Sequence, residues 1–174
     1  MITHEGTEKV RGWFTGRLPE EWKVEPPEVT VDREEITIVL TVADVDLPDG
    51  TSDAERSEAR AGRAKAFRED TRKHRIEIAR EAEHRFDRKV SWAVRVGDRT
   101  ELFTHVAAPA MTRLRQPERL VLDTLVEAGV ARSRAEALAW CVKLVGQHES
   151  DWLDELRGAM SHVEEVRKKG PGAA

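Results

Sequence analysis

The chain has 174 residues, 29 Lys and Arg against 33 Asp and Glu, a net charge of −4, and 36% charged positions. That length holds one medium domain or two small ones, and the charge density describes a heavily solvated surface. A single cysteine, Cys141, excludes internal disulfides and paired-cysteine metal knots; no apolar run has the length of a membrane span and the N-terminus is no signal peptide, so a cytoplasmic protein is expected.

Residues 1–27 form an N-terminal helical segment rich in aromatics. Trp13, Phe14 and Trp22 stand in a polar context, either as a clasp over the rest of the chain or as a dock for a protein partner. Pro26-Pro27 marks a break.

Residues 28–108 read as an α+β domain. Residues 28–31 and 36–42 alternate as strands, with Ile36, Ile38, Leu40 and Val42 on one face. Ala, Arg, Glu and Lys dominate residues 52–86, which predict one long helix, weakened only at Gly62 and capped by Ser52 or Asp53. Its apolar stripe is thin: Ala64, Phe67, Thr71, Ile78, Ala82 and Phe86. A helix of that length spans about 50 Å, so its first half is expected to project from the body or to pack on another subunit. Two strands, 90–96 and 99–106, then flank Gly97-Asp98, a two-residue hairpin turn. The expected fold class is α+β: a small antiparallel sheet with one long helix, then a helical module.

The middle of the chain is basic and the front acidic. Residues 1–50 hold twelve acids and five bases, whereas residues 51–89 hold nine and twelve. Arg56, Arg60, Arg63, Lys65, Arg68, Arg72, Lys73 and Arg75 crowd one stretch whose only acids are Glu58, Glu69 and Asp70. Two readings stand side by side: a stripe that meets a phosphate backbone, or a solvated face whose Arg and Glu pair at helical spacing.

Residues 109–146 carry the most specific local signals. A helix over residues 117–128 opens with Pro117 in its first turn and closes at Gly129, where a positive φ is needed. Ser133 followed by Glu136 is a capping box that opens a second helix. Val121, Leu122, Leu125 and Val126 line the first helix; Ala137, Leu138, Cys141, Val142 and Val145 line the second. Helices this short need cover from a partner chain or from the rest of the protein. Ahead of them residues 110–115 alternate. With Thr112 and Leu114 turned to the helices, Met111, Arg113 and Arg115 face outward, and a register shift of one residue would reverse that set.

Residues 110–146, above all the Gly-x-x-x-Ser-Arg-x-Glu-Ala-Leu run from Gly129 to Leu138, resemble the ribbon-helix-helix family of DNA-binding proteins. The resemblance implies an intertwined homodimer whose paired strands enter the major groove of double-stranded DNA, with Met111, Arg113 and Arg115 facing the groove. It also implies that the amides of Ser133 and Arg134 hold a phosphate. Leu114, Leu122, Leu125, Leu138 and Val142 would form the dimer core. The alternative is that these helices only make a dimer or pack on the N-terminal domain.

Residues 147–174 predict a third helix from about residue 150, with Trp152, Leu153, Leu156, Met160, Val163 and Val166 at helical spacing, and a frayed tail from Lys168. Chemistry is not in evidence. The histidines at 4, 74, 84, 105, 148 and 162 form no ligand motif, there is no phosphate loop or nucleophile elbow, and Cys141 has no oriented base. The sequence therefore predicts a homodimeric DNA-binding protein, a transcriptional regulator or a nucleoid-associated protein, with no enzymatic activity, cofactor, metal or membrane partner. A non-catalytic dimeric scaffold, or an RNA- or ribosome-binding protein acting through the basic helix, are the alternatives.

Overall fold

The computed structural model describes residues 4–104 and 106–169; the expected end of the tail (170–174) and His105 lie outside the described residues. The chain divides into two compact units, Met1–Ala108 and Pro109–Ala174.

In the first unit, α1 (His4–Arg17) and a single 3-10 turn (Glu20–Trp22) precede the hairpin of β1 (Glu28–Val31) and β2 (Glu35–Val42). Two helices follow, α2 (Asp53–Asp70) and α3 (Arg72–Phe86), then the hairpin of β3 (Lys89–Val96) and β4 (Arg99–Leu102). The fold is α+β. The sheet runs β1-β2-β3-β4, antiparallel within each hairpin. Its central pair is parallel, against the expected antiparallel sheet. The reason lies in the crossover: a helical passage between β2 and β3 carries the chain back to the end where β2 began, so β3 runs alongside in the same sense.

The parallel register sets inward residues opposite one another: Ile36 by Val90, Ile38 by Trp92, Leu40 by Val94. All six are buried, in one cluster with Val10 and Phe14 of α1, Leu18 just after it, Ala64 of α2, and Ile78 and Ala82 of α3. Burying each large aliphatic side chain is worth roughly 1.5–3 kcal/mol, so this layer dominates the stability of the unit. The aromatic segment is spent here too. Phe14 meets Trp92 edge-on at 6.1 Å, Trp13 meets Phe86 at 5.7 Å, and Trp22 meets Phe67 at 6.0 Å. The segment is a clasp over its own unit, with Phe14 on the sheet and Trp13 and Trp22 on the two crossover helices, where the rings leave water for apolar neighbours.

The long helix is two helices. At Thr71 (φ −89°, ψ −4°) the hydroxyl donates to the Phe67 carbonyl at 2.6 Å, and the Arg68 carbonyl is taken by Arg75 Nη2 at 2.7 Å. A side chain inserted into the carbonyl ladder bends a helix. The first half does not project. Ala64 is buried, and Arg60 reaches the β3–β4 turn to pair with Asp98.

In the second unit, α4 (Gln116–Glu127), α5 (Arg134–His148) and α6 (Ser150–Lys169) follow one another. Gly129 (φ +74°) closes α4 with its own amide on Val126 O and the Val130 amide on Leu125 O, both at 3.0 Å, the two bonds of a Schellman motif. Ser133 Oγ accepts the Glu136 amide at 3.2 Å, as the capping box requires; the Glu136 carboxylate reaches back one residue further than expected, to the amide of Arg132. Leu122, Ala131 and Ala137 are buried, with Leu114, Leu125, Val126, Leu138 and Cys141 packed around them. Residues 110–115 form no strand. Within the single chain they make no ladder among the described residues, and Pro109 lacks an amide donor.

Candidate nucleic-acid interface

The basic stretch resolves into two populations. One is structural. Arg60 donates from Nε and Nη2 to Asp44, at 3.0 Å and 2.6 Å, and from Nη1 to Asp98. Its pKa is raised, first by the Asp44 hydrogen bond, and the same bond lowers that of Asp44. Arg75 is only 6% exposed. Its Nε donates to Thr71 Oγ1 at 2.9 Å, and its guanidinium lies 4.8 Å from the centre of the Phe103 ring. Burial pushes its pKa down to about 10, and the charges of Arg68 and Arg72 act in the same direction.

The other population is exposed. Arg63, Lys65, Arg68, Arg72 and Lys73 all face solvent, and none is in an ion pair with a carboxylate among the described residues. The helical Arg–Glu pairing that would make this a merely solvated face is not what α2 forms. Four other arginines are tied down, Arg17 to Glu81, Arg95 to Glu28, Arg132 to Glu136 and Arg134 to Asp123. Residues 63–73 thus present five exposed cations, with Glu69 and Asp70 exposed among them.

In the second unit, Met111 is 98% exposed, and Arg113 and Arg115 are exposed on a stretch without a ladder. Arg134 is held by Asp123 through two bonds of 2.6 Å and 2.7 Å, and the Glu136 carboxylate sits 2.8 Å from the Arg132 amide, beside the amides expected to hold phosphate. Of the expected dimer core, Leu122 is buried and Leu114, Leu125 and Leu138 are half-buried around it, while Val142 is 67% exposed. Trp140 and Val145 on α5 and Trp152, Leu156, Met160, Val163 and Val166 on α6 are also exposed.

Sequence reasoning missed the interior role of Arg75. A signal existed: Thr71, Arg75, Ile78 and Ala82 follow one another at steps of four, three and four, which puts Arg75 on the buried stripe. It also missed a cleft of about 490 Å³ between the 3-10 turn, the end of β2 and α2, lined by Trp22, Val42, Val45 and Phe67 with Arg63 and Asp70 at its polar side. Among the described residues no group of three or more His, Cys, Asp or Glu is placed to hold a metal ion, and no helix is long and apolar enough to cross a membrane.

Fold and surface together define a two-unit α+β chain with exposed cations around α2 and the start of α3 and a second, helical unit with many exposed apolar side chains. Residues 8–102 match the family described as Rv1265-like protein, N-terminal domain, and residues 115–167 match the one described as Mb1296 C-terminal domain. The chain is 57% identical over 160 residues to "Uncharacterized protein Rv1265" of Mycobacterium tuberculosis and to "Uncharacterized protein Mb1296" of Mycobacterium bovis, which covers 91% of this chain and 69% of each relative. It belongs to the Rv1265-like family. No solved structure matches it.

These matches correct the resemblance to the ribbon-helix-helix family. No such family matches, the C-terminal helices belong to the Mb1296 C-terminal domain, and that match begins at Arg115, after the stretch that was to be the ribbon. The misleading signal was local: a Schellman glycine followed by a Ser-x-x-Glu box describes how any two short helices join, whatever surrounds them.

Proposed function

We propose that this protein binds nucleic acid, double-stranded DNA in the first instance, through the exposed cations of α2 and the start of α3. The observation that supports this reading is the set of Arg63, Lys65, Arg68, Arg72 and Lys73, exposed around α2 and the start of α3 and without carboxylate partners among the described residues. Residues 63–73 span about 15 Å along a helical axis. Duplex DNA carries a charge about every 1.7 Å, so the cations on whichever side of this segment meets the duplex reach more than one phosphate and release their counterions. Binding of this kind is governed by charge and is weakly selective, which suits chromosome organisation as well as regulation; the ratio of specific to non-specific affinity separates the two.

The test is fluorescence anisotropy with random duplex DNA at about 50 and 200 mM salt, using the intact chain and a variant with Arg63, Lys65, Arg72 and Lys73 all changed to Ala. Affinity that falls by orders of magnitude with salt and is lost in a folded variant supports the reading. A folded wild-type protein that binds no duplex at the lower salt rejects it.

A second reading, a non-catalytic dimeric scaffold, draws on a different observation: the apolar side chains exposed on α5 and α6. Under that reading the protein self-associates normally and the quadruple charge variant keeps its function.

A further inference from the structure

Arg75 is a buried cation with no carboxylate beside it. Two of its three guanidinium nitrogens are spent inside the fold, Nε on Thr71 Oγ1 and Nη2 on the Arg68 carbonyl. Nη1 carries no hydrogen bond to any described residue. Phe103 offers its ring face at 4.8 Å, and the same ring takes the guanidinium of Arg68 at 5.6 Å. Arg72, at the first position of α3, adds a third positive charge close enough to be felt at Arg75.

Holding a guanidinium out of water is costly unless an anion compensates it, and neighbouring like charges raise that cost. The bonds to Thr71 and to the Arg68 carbonyl account for the bend between α2 and α3. They do not account for Arg68 on the same ring or for the nearby charge of Arg72. A ring quadrupole offsets part of one cation, not two. What the cluster lacks is a compact multivalent anion, and a phosphate group, with several acceptor oxygens on one centre, fits a set of guanidinium forks.

We propose that Arg68 and the Nη1 edge of Arg75, which share the Phe103 ring, form with the neighbouring Arg72 at the start of α3 a seat for a single phosphate group. Resting on the reading of the basic face as a nucleic-acid surface, this assigns that surface an anchoring point: one backbone phosphate held by the cluster, with Arg63, Lys65 and Lys73 meeting its neighbours.

The experiment uses the intact chain and two probes, inorganic phosphate and random duplex DNA. Phosphate is titrated while the Arg75 Nε–H and Phe103 ring signals are followed by NMR, on the wild type, on the Arg68→Gln/Arg72→Gln variant, and on Arg80→Ala as a control that removes a cation from the exposed side of α3. Arg68 and Arg72 are exposed, so their replacement leaves the core intact; Arg75→Lys, which keeps the charge and loses the fork, is the second variant. The expected result is a saturable shift in the wild type and the control, abolished in Arg68→Gln/Arg72→Gln and weakened in Arg75→Lys. Together with it, the slope of log affinity for duplex against log salt should fall in magnitude by about 1 in the double variant. Saturation by phosphate in a protein that binds no duplex keeps the seat and rejects the DNA reading. Duplex binding with an unchanged slope in the double variant, and no saturable phosphate shift in the wild type, overturns the seat and leaves the DNA reading standing.

Discussion

Arg60 grips Asp44 with two nitrogens, Nε at 3.0 Å from Oδ1 and Nη2 at 2.6 Å from Oδ2, and so ties the middle of α2 to the segment after β2. The same guanidinium lies against Gly97 in the β3–β4 turn: a Cβ on that glycine would stand 2.5 Å from Arg60 Cζ. A residue at the centre of a basic stripe is thereby removed from the surface and made a strut between helix and hairpin.

Gly97 carries both demands at once, a φ of +58° and the close approach of Arg60. Gly97→Ala is expected to cost about 1–2 kcal/mol from the backbone alone, and to push Arg60 off Asp44. Urea denaturation should show a lowered midpoint, and Arg60→Ala should lower it too. Duplex affinity of Arg60→Ala should match the wild type; a large loss there would mean that Arg60 meets DNA after all.

Acid should loosen the first unit through its ion pairs. Hydrogen bonds from Arg60, Arg95 and Arg17 lower the pKa values of Asp44, Glu28 and Glu81, respectively, below the ordinary carboxylate range. A carboxylate with a depressed folded pKa adds stability that is present above its unfolded value, about 4, and is lost as pH falls through the folded value. Thermal melting between pH 6 and pH 2 should therefore show a steeper acid decline for the wild type than for Asp44→Asn/Glu28→Gln. Parallel curves would show that these pairs do not differ from the unfolded chain.

Trp92 is buried with its Nε1 unpartnered while its ring packs on Phe14. Trp92→Ala should cost about 3–5 kcal/mol. Trp92→Phe should cost much less, about 1.5 kcal/mol or below, because losing the indole's extra volume is offset by removing an unpaired donor. Chemical denaturation of the two variants checks the ordering.

Leu122 is the largest buried side chain in the second unit, and Leu122→Ala should lower that unit's stability by about 2–5 kcal/mol. Leu156, exposed on α6, should behave differently. Leu156→Asp is expected to keep the helical circular dichroism signal while shifting the sedimentation equilibrium towards monomer. A wild type that is monomeric at high concentration would refute self-association through this face.

Contrast between arginines is the sharpest check on the proposed interface. Arg72→Ala should reduce the salt slope of duplex binding by about 1, whereas Arg134→Ala, whose guanidinium already serves Asp123, should leave the slope alone. Equal effects would mean that charge anywhere on the chain suffices.

Much of the architecture was written in short-range signals. The alternation of Ile36, Ile38 and Leu40 placed β2, Gly97-Asp98 placed the last hairpin, and Gly129 and Ser133 placed the junction of α4 and α5, because each reflects backbone sterics or a bond within a few residues. Chain order alone also gave the α+β class. The ribbon expected at residues 110–115 rested on alternation and on the resemblance that the family matches correct; alternation shows which way side chains point, not what backbone would pair with them.

What composition could not do was sort the cations. Arg60, Arg68, Arg72 and Arg75 look alike along the sequence, yet the partners that separate them are far away in it: Asp44 is 16 positions from Arg60 and Asp98 is 38. Phe103, which takes Arg75, comes from the far end of the sheet's last hairpin. The sequence by itself determined the junction of α4 and α5, the turn at Gly97-Asp98, and how much positive charge residues 51–89 hold. Only the tertiary structure decided that the β2–β3 pair is parallel, that the helix bends at Thr71, and which arginines are spent inside the fold, since desolvation and ion pairing depend on distances that chain order does not fix.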